Sequence, residues 1–143
     1  MIVVTGGAGF IGSAFVAILN AYGISDILVV DEINSEARQT NLANKSFTQF
    51  MGKDEFLAHV QANSLPNGIT AIVHMGACSS TTEKNIEYLR ANNREYTKAL
   101  CLYATRHGIR FIYASSAATY GAGEHGYADD VSQLDQLKPL NPY

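Results

Sequence analysis

The 143 residues predict an α/β protein built on a doubly wound parallel sheet, and three observations carry that reading. Short β-rich runs such as ILVV and AIVH are apolar without alternation. Strands look like this when both faces are covered, which is the condition of a parallel sheet between helices. Longer stretches with apolar residues at helical spacing lie between most of these runs. Finally, the first run opens directly into a glycine-rich turn, TGGAGFIG.

The elements follow in order. The first strand is residues 2–5, IVVT. Residues 10–22 form a helix that sets Ile11, Phe15, Ile18, Leu19 and Tyr22 on one face, with Gly23 as the residue that ends it. The second strand is residues 26–30. A weaker strand near 47–51 precedes a helix over 53–62, which carries Phe56, Leu57 and Val60 and stops before the breakers Pro66 and Gly68. The fourth strand is residues 71–74. The longest helical stretch, 83–107, aligns Ile86, Leu89, Tyr96, Leu100 and Tyr103 and is closed by Gly108. The fifth strand is residues 110–114, and 121–143 reads as loop throughout. Right-handed crossovers then give the strand order 3-2-1-4-5. A fifth strand that is apolar on both faces needs helix cover and a protected edge, and no helix of useful length follows Ser116. The fold is therefore expected to be truncated after the fifth strand.

Composition excludes several classes of function. Charged residues are 16% of the chain, against about 25% in an average soluble domain, so more of its surface than usual is meant to be covered. The net charge is −3, with ten Lys and Arg spread singly, which excludes nucleic acid as a partner. No apolar run approaches the ~20 residues of a membrane helix, and MIVVTGG lacks the pattern of a signal peptide, so a cytoplasmic protein is expected. Cys78 and Cys101 are read as reduced thiols. His59, His74, His107 and His125 have no metal-ligand spacing, and no metal site is expected.

Gly6, Gly9 and Gly12 carry the first chemical signal. In a strand-turn-helix, the first glycine permits the tight turn, the second admits a pyrophosphate to the backbone, and the third lets helix and strand pack closely. Asp31 ends the second strand about 20 residues later, where an acid accepts hydrogen bonds from an adenosine ribose. Such an acid repels a 2′-phosphate, whereas Arg38 and Lys53 attract one, so NAD and NADP both remain open at this point. The small residues of MGACSSTTE, 75–83, leave room along the carboxyl ends of the strands. With no base beside it, Cys78 reads as a packed thiol rather than a nucleophile, and His74 as a hydrogen-bonded strand-end residue. In FIYASSAATYG, 111–121, a serine pair ends the fifth strand.

Together these motifs resemble the extended short-chain dehydrogenase/reductase superfamily with its Rossmann-like NAD(P)-binding fold. TGGAGFIG and YASSAATYG carry that resemblance over nearly the whole chain. GACSSTTE, the pattern NN-x-x-Y-(T/S)-K-x-L at 92–100, and KPLNPY are similar more specifically to the ADP-L-glycero-D-manno-heptose 6-epimerase family. The resemblance implies NADP held by Phe10, Ile11, Asp31, Glu32, Arg38, Lys53, Met75, Gly76, Ala77, Cys78, Ser79 and Asn92, in addition to the three glycines. Glu32 stands where an amide often follows the acid, and Met75 where a glutamate is often found. The resemblance further implies an ADP-heptose substrate inverted at C6″, a role in lipopolysaccharide inner-core synthesis, a homo-oligomer at full length, and Ser116 and Tyr143 as catalytic residues. A Tyr-x-x-x-Lys motif would place a lysine four residues beyond Tyr143, where this sequence has none. A tyrosine of reference pKa about 10 needs a neighbouring ammonium to act as a base near pH 7. Residues 1–143 are thus expected to be an incomplete N-terminal NAD(P)-binding domain, inactive as written, with the substrate-binding part absent. Two other readings stay open: a UDP- or dTDP-sugar 4-epimerase or 4,6-dehydratase, and a dinucleotide-binding module without catalysis.

Overall fold

The computed structural model describes residues 1–142. Five strands, β1 (Ile2–Thr5), β2 (Ile27–Val30), β3 (Gln49–Met51), β4 (Ala71–His74) and β5 (Arg110–Tyr113), form one parallel sheet in the order β3-β2-β1-β4-β5. This is the predicted order. In the register, Thr5 is level with Val30 and His74, Val30 with Met51, and His74 with Tyr113. All five strands therefore stop together, and the residues that follow them (Gly6, Asp31, Gly52, Met75 and Ala114) stand in one row along the carboxyl edge.

Two cores flank the sheet because successive strand residues point to opposite faces. Val3, Leu28, Val30 and Ile72 pack on one side against Phe56 and Val60 of α3 (Lys53–Ala62) and Tyr96, Leu100, Tyr103 and Ala104 of α5 (Tyr96–Arg106). Val4, Ile27 and Val29 pack on the other side against Val16 and Leu19 of α1 (Phe10–Ala21) and Leu42 of α2 (Glu36–Leu42). Glycine closes α1 and α5 in the same way. Gly23 (φ +76°) donates to Asn20 O while Ile24 donates to Leu19 O; Gly108 (φ +65°) donates to Thr105 O while Ile109 donates to Ala104 O. Each pair of bonds is a Schellman cap.

Four differences from the sequence reading have physical causes. The face of α1 that is buried carries Gly12, Ser13, Val16 and Leu19, leaving Ile11, Ile18 and Tyr22 exposed. A Cβ at Gly12 would lie 2.1 Å from Gly6 O, so the glycine face must turn toward β1; Leu19 and Phe15 of the expected stripe still reach the core, and Ile11, Ile18 and Tyr22 do not. The reading contained no helix α2; Ser35 caps it by accepting from Arg38 N, and Glu36 occupies its first turn. The expected helix over 83–107 begins only at α4 (Ile86–Leu89) and is interrupted by a π-turn at Arg90–Glu95 before α5. Of the expected stripe Ile86, at the first position of α4, is exposed, whereas Leu89 and Tyr96 on either side of the π-turn stay buried. Within 121–143 a 3₁₀ turn forms at Val131–Gln136, and another, Ala117–Tyr120, precedes it. Strand β5, expected to need cover, is largely exposed, with Ile112 and Tyr113 each more than half accessible. Among the described residues no helix is long and apolar enough to cross a membrane.

Candidate functional site

A cleft of about 450 Å³ opens on the carboxyl edge where β1, β2 and β4 end. Its floor is the glycine turn. Gly6 adopts φ +66°, and a Cβ there would lie 2.8 Å from the backbone of Met75 and Gly76, so the turn and the loop after β4 meet backbone to backbone. Gly9 donates to Gly6 O at 3.0 Å and caps α1 without a side chain. The first helical bond is Ser13 N to Gly9 O (2.9 Å), which leaves the N–H groups of Phe10, Ile11 and Gly12 ahead of the ladder at the positive end of a 12-residue helix. That end suits an anion.

At the β2 end sits Asp31, only 7% exposed. Its Oδ2 accepts from Ala8 N (2.8 Å); its Oδ1 accepts from Glu32 N (2.7 Å) and is ion-paired with Arg38 Nη1. Helix α2 delivers Arg38 to this point. Lys53, at the start of α3, lies 3.9 Å from Glu32 Oε1 and donates to Asn92 Oδ1 (3.2 Å). Tyr96 donates its hydroxyl to Lys53 O at 3.0 Å, and burial, reinforced by Asp54, Asp31 and Glu32, raises its pKa well above the usual tyrosine value. It stays a neutral phenol.

The third wall is the loop after β4. Thr5 O accepts from Met75 N (3.1 Å) and Thr5 Oγ1 from Gly76 N (3.1 Å). Farther along, Asn93 grips the backbone of Cys78 at both ends: its Oδ1 accepts Cys78 N–H (2.9 Å) and its Nδ2 donates to Cys78 O (2.8 Å). The π-turn carries Asn92 and Asn93 and brings both into this network.

All the residues expected to hold a cofactor line this one cleft: Gly6, Gly9, Phe10, Ile11 and Gly12 from the turn and α1; Asp31, Glu32 and Arg38 from the β2 side; Lys53; Met75, Gly76, Ala77, Cys78 and Ser79; and Asn92. Thr5, Val30, Asn34, Tyr88 and Tyr96 also line it and were missed. Tyr96 stood both in the helical stripe, which reads as core, and in the pattern at 92–100, which gave it no role; Asn34 had no signal.

A second cavity of about 900 Å³ continues from the first toward β5, sharing Ile11, Met75, Ala77, Cys78 and Ser79 with it. Ser116 lines this second cavity, at the cap of the 3₁₀ turn, where its Oγ accepts Ala118 N–H at 3.1 Å. Tyr143 lies outside the described residues. His74 also borders the cavity, but its two ring nitrogens are 2.6 Å from Thr5 Oγ1 and 2.8 Å from Thr97 Oγ1, and burial lowers its pKa to about 4. It is neutral near pH 7, and with both ring nitrogens taken by Thr5 and Thr97 it is not placed as a base for Cys78. Among the described residues no three His, Cys, Asp or Glu side chains cluster as metal ligands.

Residues 2–143 match the model of the NAD dependent epimerase/dehydratase family. The chain belongs to that family. It is 48% identical over 143 residues to the ADP-L-glycero-D-manno-heptose-6-epimerase of Nitratidesulfovibrio vulgaris (strain DP4), covering 100% of this chain and 44% of the relative. It is also 48% identical over 145 residues to the protein of that name from Fusobacterium nucleatum, with the same two shares. The chain thus spans less than half the length of the curated relatives it matches. Among solved structures it superposes on the UDP-Glc/GlcNAc 4-epimerase of Campylobacter jejuni with a TM-score of 0.74 at 29% identity, covering 99% of this chain and 44% of that one. The UDP-glucose 4-epimerase of Thermotoga maritima gives 0.76 at 25% identity, covering 99% and 46%.

Proposed function

We propose that this chain is the dinucleotide-binding part of an ADP-L-glycero-D-manno-heptose 6-epimerase and that its cleft takes NADP. One observation carries the cofactor reading: every residue expected to hold a dinucleotide, drawn from five separate stretches of sequence, lines a single cleft at the carboxyl edge of the sheet. That edge is where open α/β sheets bind ligands. The fit is supported by the backbone itself: Gly6, Gly9 and Gly12 let the turn, α1 and the loop after β4 approach more closely than a Cβ would allow, and the N–H groups of Phe10, Ile11 and Gly12 stand ahead of the α1 ladder at the cleft.

Preference for the 2′-phosphate follows from the hydrogen bonds of Asp31. A carboxylate has about four lone-pair sites, and Ala8 N–H, Glu32 N–H and the Arg38 guanidinium occupy three. A ribose diol that needs two acceptors must displace Arg38. A 2′-phosphate instead brings acceptors of its own to Arg38 and Lys53.

When bound, the nicotinamide supplies a reversible hydride acceptor, which is the chemistry an inversion at C6″ requires. This chain's own groups hold and orient. The first turn of α1 neutralises the pyrophosphate, the 75–79 loop forms the wall shared with the second cavity, and Ser116 stands in that cavity to hydrogen-bond the oxygen of the reacting carbon. Tyr143 is proposed as the base. The nucleotide-sugar substrate, the lipopolysaccharide role, the cytoplasmic location and self-association of the whole enzyme belong to the same proposal. The heptose is favoured over the UDP sugars of the solved neighbours because 48% identity exceeds their 25–29%.

The test is a chimaera in which residues 1–143 replace the corresponding part of the Nitratidesulfovibrio vulgaris relative. ADP-heptose is added and the C6″ configuration is followed by ¹H NMR. Epimerisation that falls about a hundredfold in Ser116→Ala supports the proposal. A folded chimaera that binds NADP⁺ but leaves ADP-heptose unchanged overturns it.

A further inference from the structure

We propose that His74 and Thr97 are positioning residues: a one-way hydrogen-bond relay through them clamps the loop at residues 76–78 from both ends and so sets the wall between the dinucleotide cleft and the Ser116 cavity. The inference deepens the dinucleotide reading and rests on it.

The direction of the relay follows from counting protons. Thr97 Oγ1 lies 2.5 Å from Asn93 O, which can only accept, so the single hydroxyl proton of Thr97 goes there. Thr97 Oγ1 must then accept at its other contact, and His74 Nε2, 2.8 Å away, is the donor. A neutral imidazole with its proton on Nε2 has a bare Nδ1. Thr5 Oγ1, at 2.6 Å, donates to it and in turn accepts the N–H of Gly76 at 3.1 Å. The relay therefore runs Gly76 N–H to Thr5, Thr5 to His74, His74 to Thr97, and Thr97 to the carbonyl of Asn93. Asn93 closes the circuit, because its side chain binds Cys78 N and O. One end of the short loop is fixed through Thr5, the other through Asn93, and a single imidazole joins the two clamps.

The chemistry explains why a histidine stands here. An imidazole is a rigid plate with a donor and an acceptor on opposite sides, so it can span β1 and α5 while passing direction from one hydroxyl to the next. Two rings lie nearly parallel to the plate and restrict its turning: Tyr96 with its centroid 5.8 Å away and Phe111 with its centroid 6.1 Å away. Were this site required only for packing, apolar side chains of similar shape would serve at little cost. A directional polar chain is useful where a backbone must be held in register, and the backbone held here, at Gly76 and Cys78, lies within the loop whose Met75, Ala77, Cys78 and Ser79 face both cavities. Neither His74 nor Thr97 lines the first cleft, so their effect on a ligand there is exerted through the loop.

Thr97→Val keeps the shape but removes the acceptor for His74 and the donor to Asn93, whereas Thr97→Ser keeps both. Two probes separate positioning from general loss of structure. NADP⁺ reaches from the Asp31 end to the 75–79 loop; adenosine 2′,5′-bisphosphate occupies only the Asp31 end. Calorimetric titration of the unmodified chain and both variants is expected to show that Thr97→Val weakens NADP⁺ about tenfold, the order expected for leaving one buried donor unpaired, and changes adenosine 2′,5′-bisphosphate by less than about twofold. Thr97→Ser restores NADP⁺ binding. Equal weakening of both probes, no weakening, or failure of serine to rescue overturns the proposal. If the unmodified chain binds neither probe, the dinucleotide reading itself fails and takes the proposal with it. If Thr97→Val does not fold, the unmodified chain still decides the matter: a long-range ¹H–¹⁵N spectrum must show His74 protonated at Nε2 and bare at Nδ1, and the opposite tautomer refutes the relay.

Discussion

Replacing Gly12 with alanine sets two effects of known size against each other. In the interior of an exposed helix the substitution would stabilise by about 1 kcal/mol. In α1 the new Cβ would lie 2.1 Å from Gly6 O, 2.8 Å from Gly6 C and 2.9 Å from Gly7 Cα, all backbone atoms that no rotamer change can move. A carbon-oxygen contact needs about 3.3 Å, so the helix must retreat by roughly 1 Å. Such a gap forfeits about a quarter to a half of each dispersion contact across the α1–β1 interface, where Val16 and Leu19 pack on Val4 and Val29. With about 1.5–3 kcal/mol for each buried side chain and 1–3 kcal/mol for overpacking, the loss exceeds the helical gain, and a net destabilisation of about 2–4 kcal/mol is expected. The chain has no tryptophan, so urea unfolding is best followed by far-UV circular dichroism. The midpoint should fall by about 1–2 M with the slope unchanged. A midpoint equal to or above that of the parent would refute the close-packing argument and with it the structural basis of the cradle.

Three further predictions concern charge, protonation and backbone. Arg38→Gln should weaken NADP⁺ by about tenfold to a hundredfold, the order of a charge-assisted contact, and leave NAD⁺ equal or better because Asp31 is released; calorimetry showing equal loss for both would contradict the preference argued from Asp31. His74 is held neutral, with a pKa of about 4 against 6.5 for a free histidine, so the unfolded chain binds a proton that the folded chain does not. Its contribution is complete above about pH 6.5 and is lost as pH falls toward 4, a change on the order of 3 kcal/mol; unfolding midpoints that do not decline over that window would refute the assignment. Gly108→Ala, at φ +65° with open space around it, should cost about 1–2 kcal/mol by backbone strain alone and leave NADP⁺ affinity unchanged.

The strands, their order and the cleft were legible because each rests on a local rule. Unalternating apolar runs mark two-sided burial, right-handed crossovers fix the order, and glycine spacing followed by Asp31 marks the carboxyl edge where the register later lines everything up. What was illegible depended on contacts between distant segments. The buried face of α1 is chosen by Gly12 meeting Gly6, so of the expected stripe only Leu19 and Phe15 pack on the core while Ile11, Ile18 and Tyr22 are exposed. The π-turn at Arg90–Glu95 has no signature of composition; its Asn92 and Asn93 bond to Lys53 and Cys78, which are distant in sequence. Thr97 stood in the pattern at 92–100 without a role, which only the placement of its hydroxyl between His74 and Asn93 supplies. Helix α2 was short enough to escape periodicity and was announced only by its Ser35 cap.

The central claim is that a nicotinamide dinucleotide occupies the cleft at the carboxyl edge. A titration of the ¹⁵N-labelled chain with NADP⁺ tests it most directly, since every wall of the cleft carries its own amide signals. Saturable shifts at Gly9, Phe10, Ile11 and Gly12, at Asp31 through Arg38 and at Met75 through Ser79, with Val131–Gln136 unmoved, are the result expected. Absence of saturation, or shifts confined to other surfaces, would contradict it.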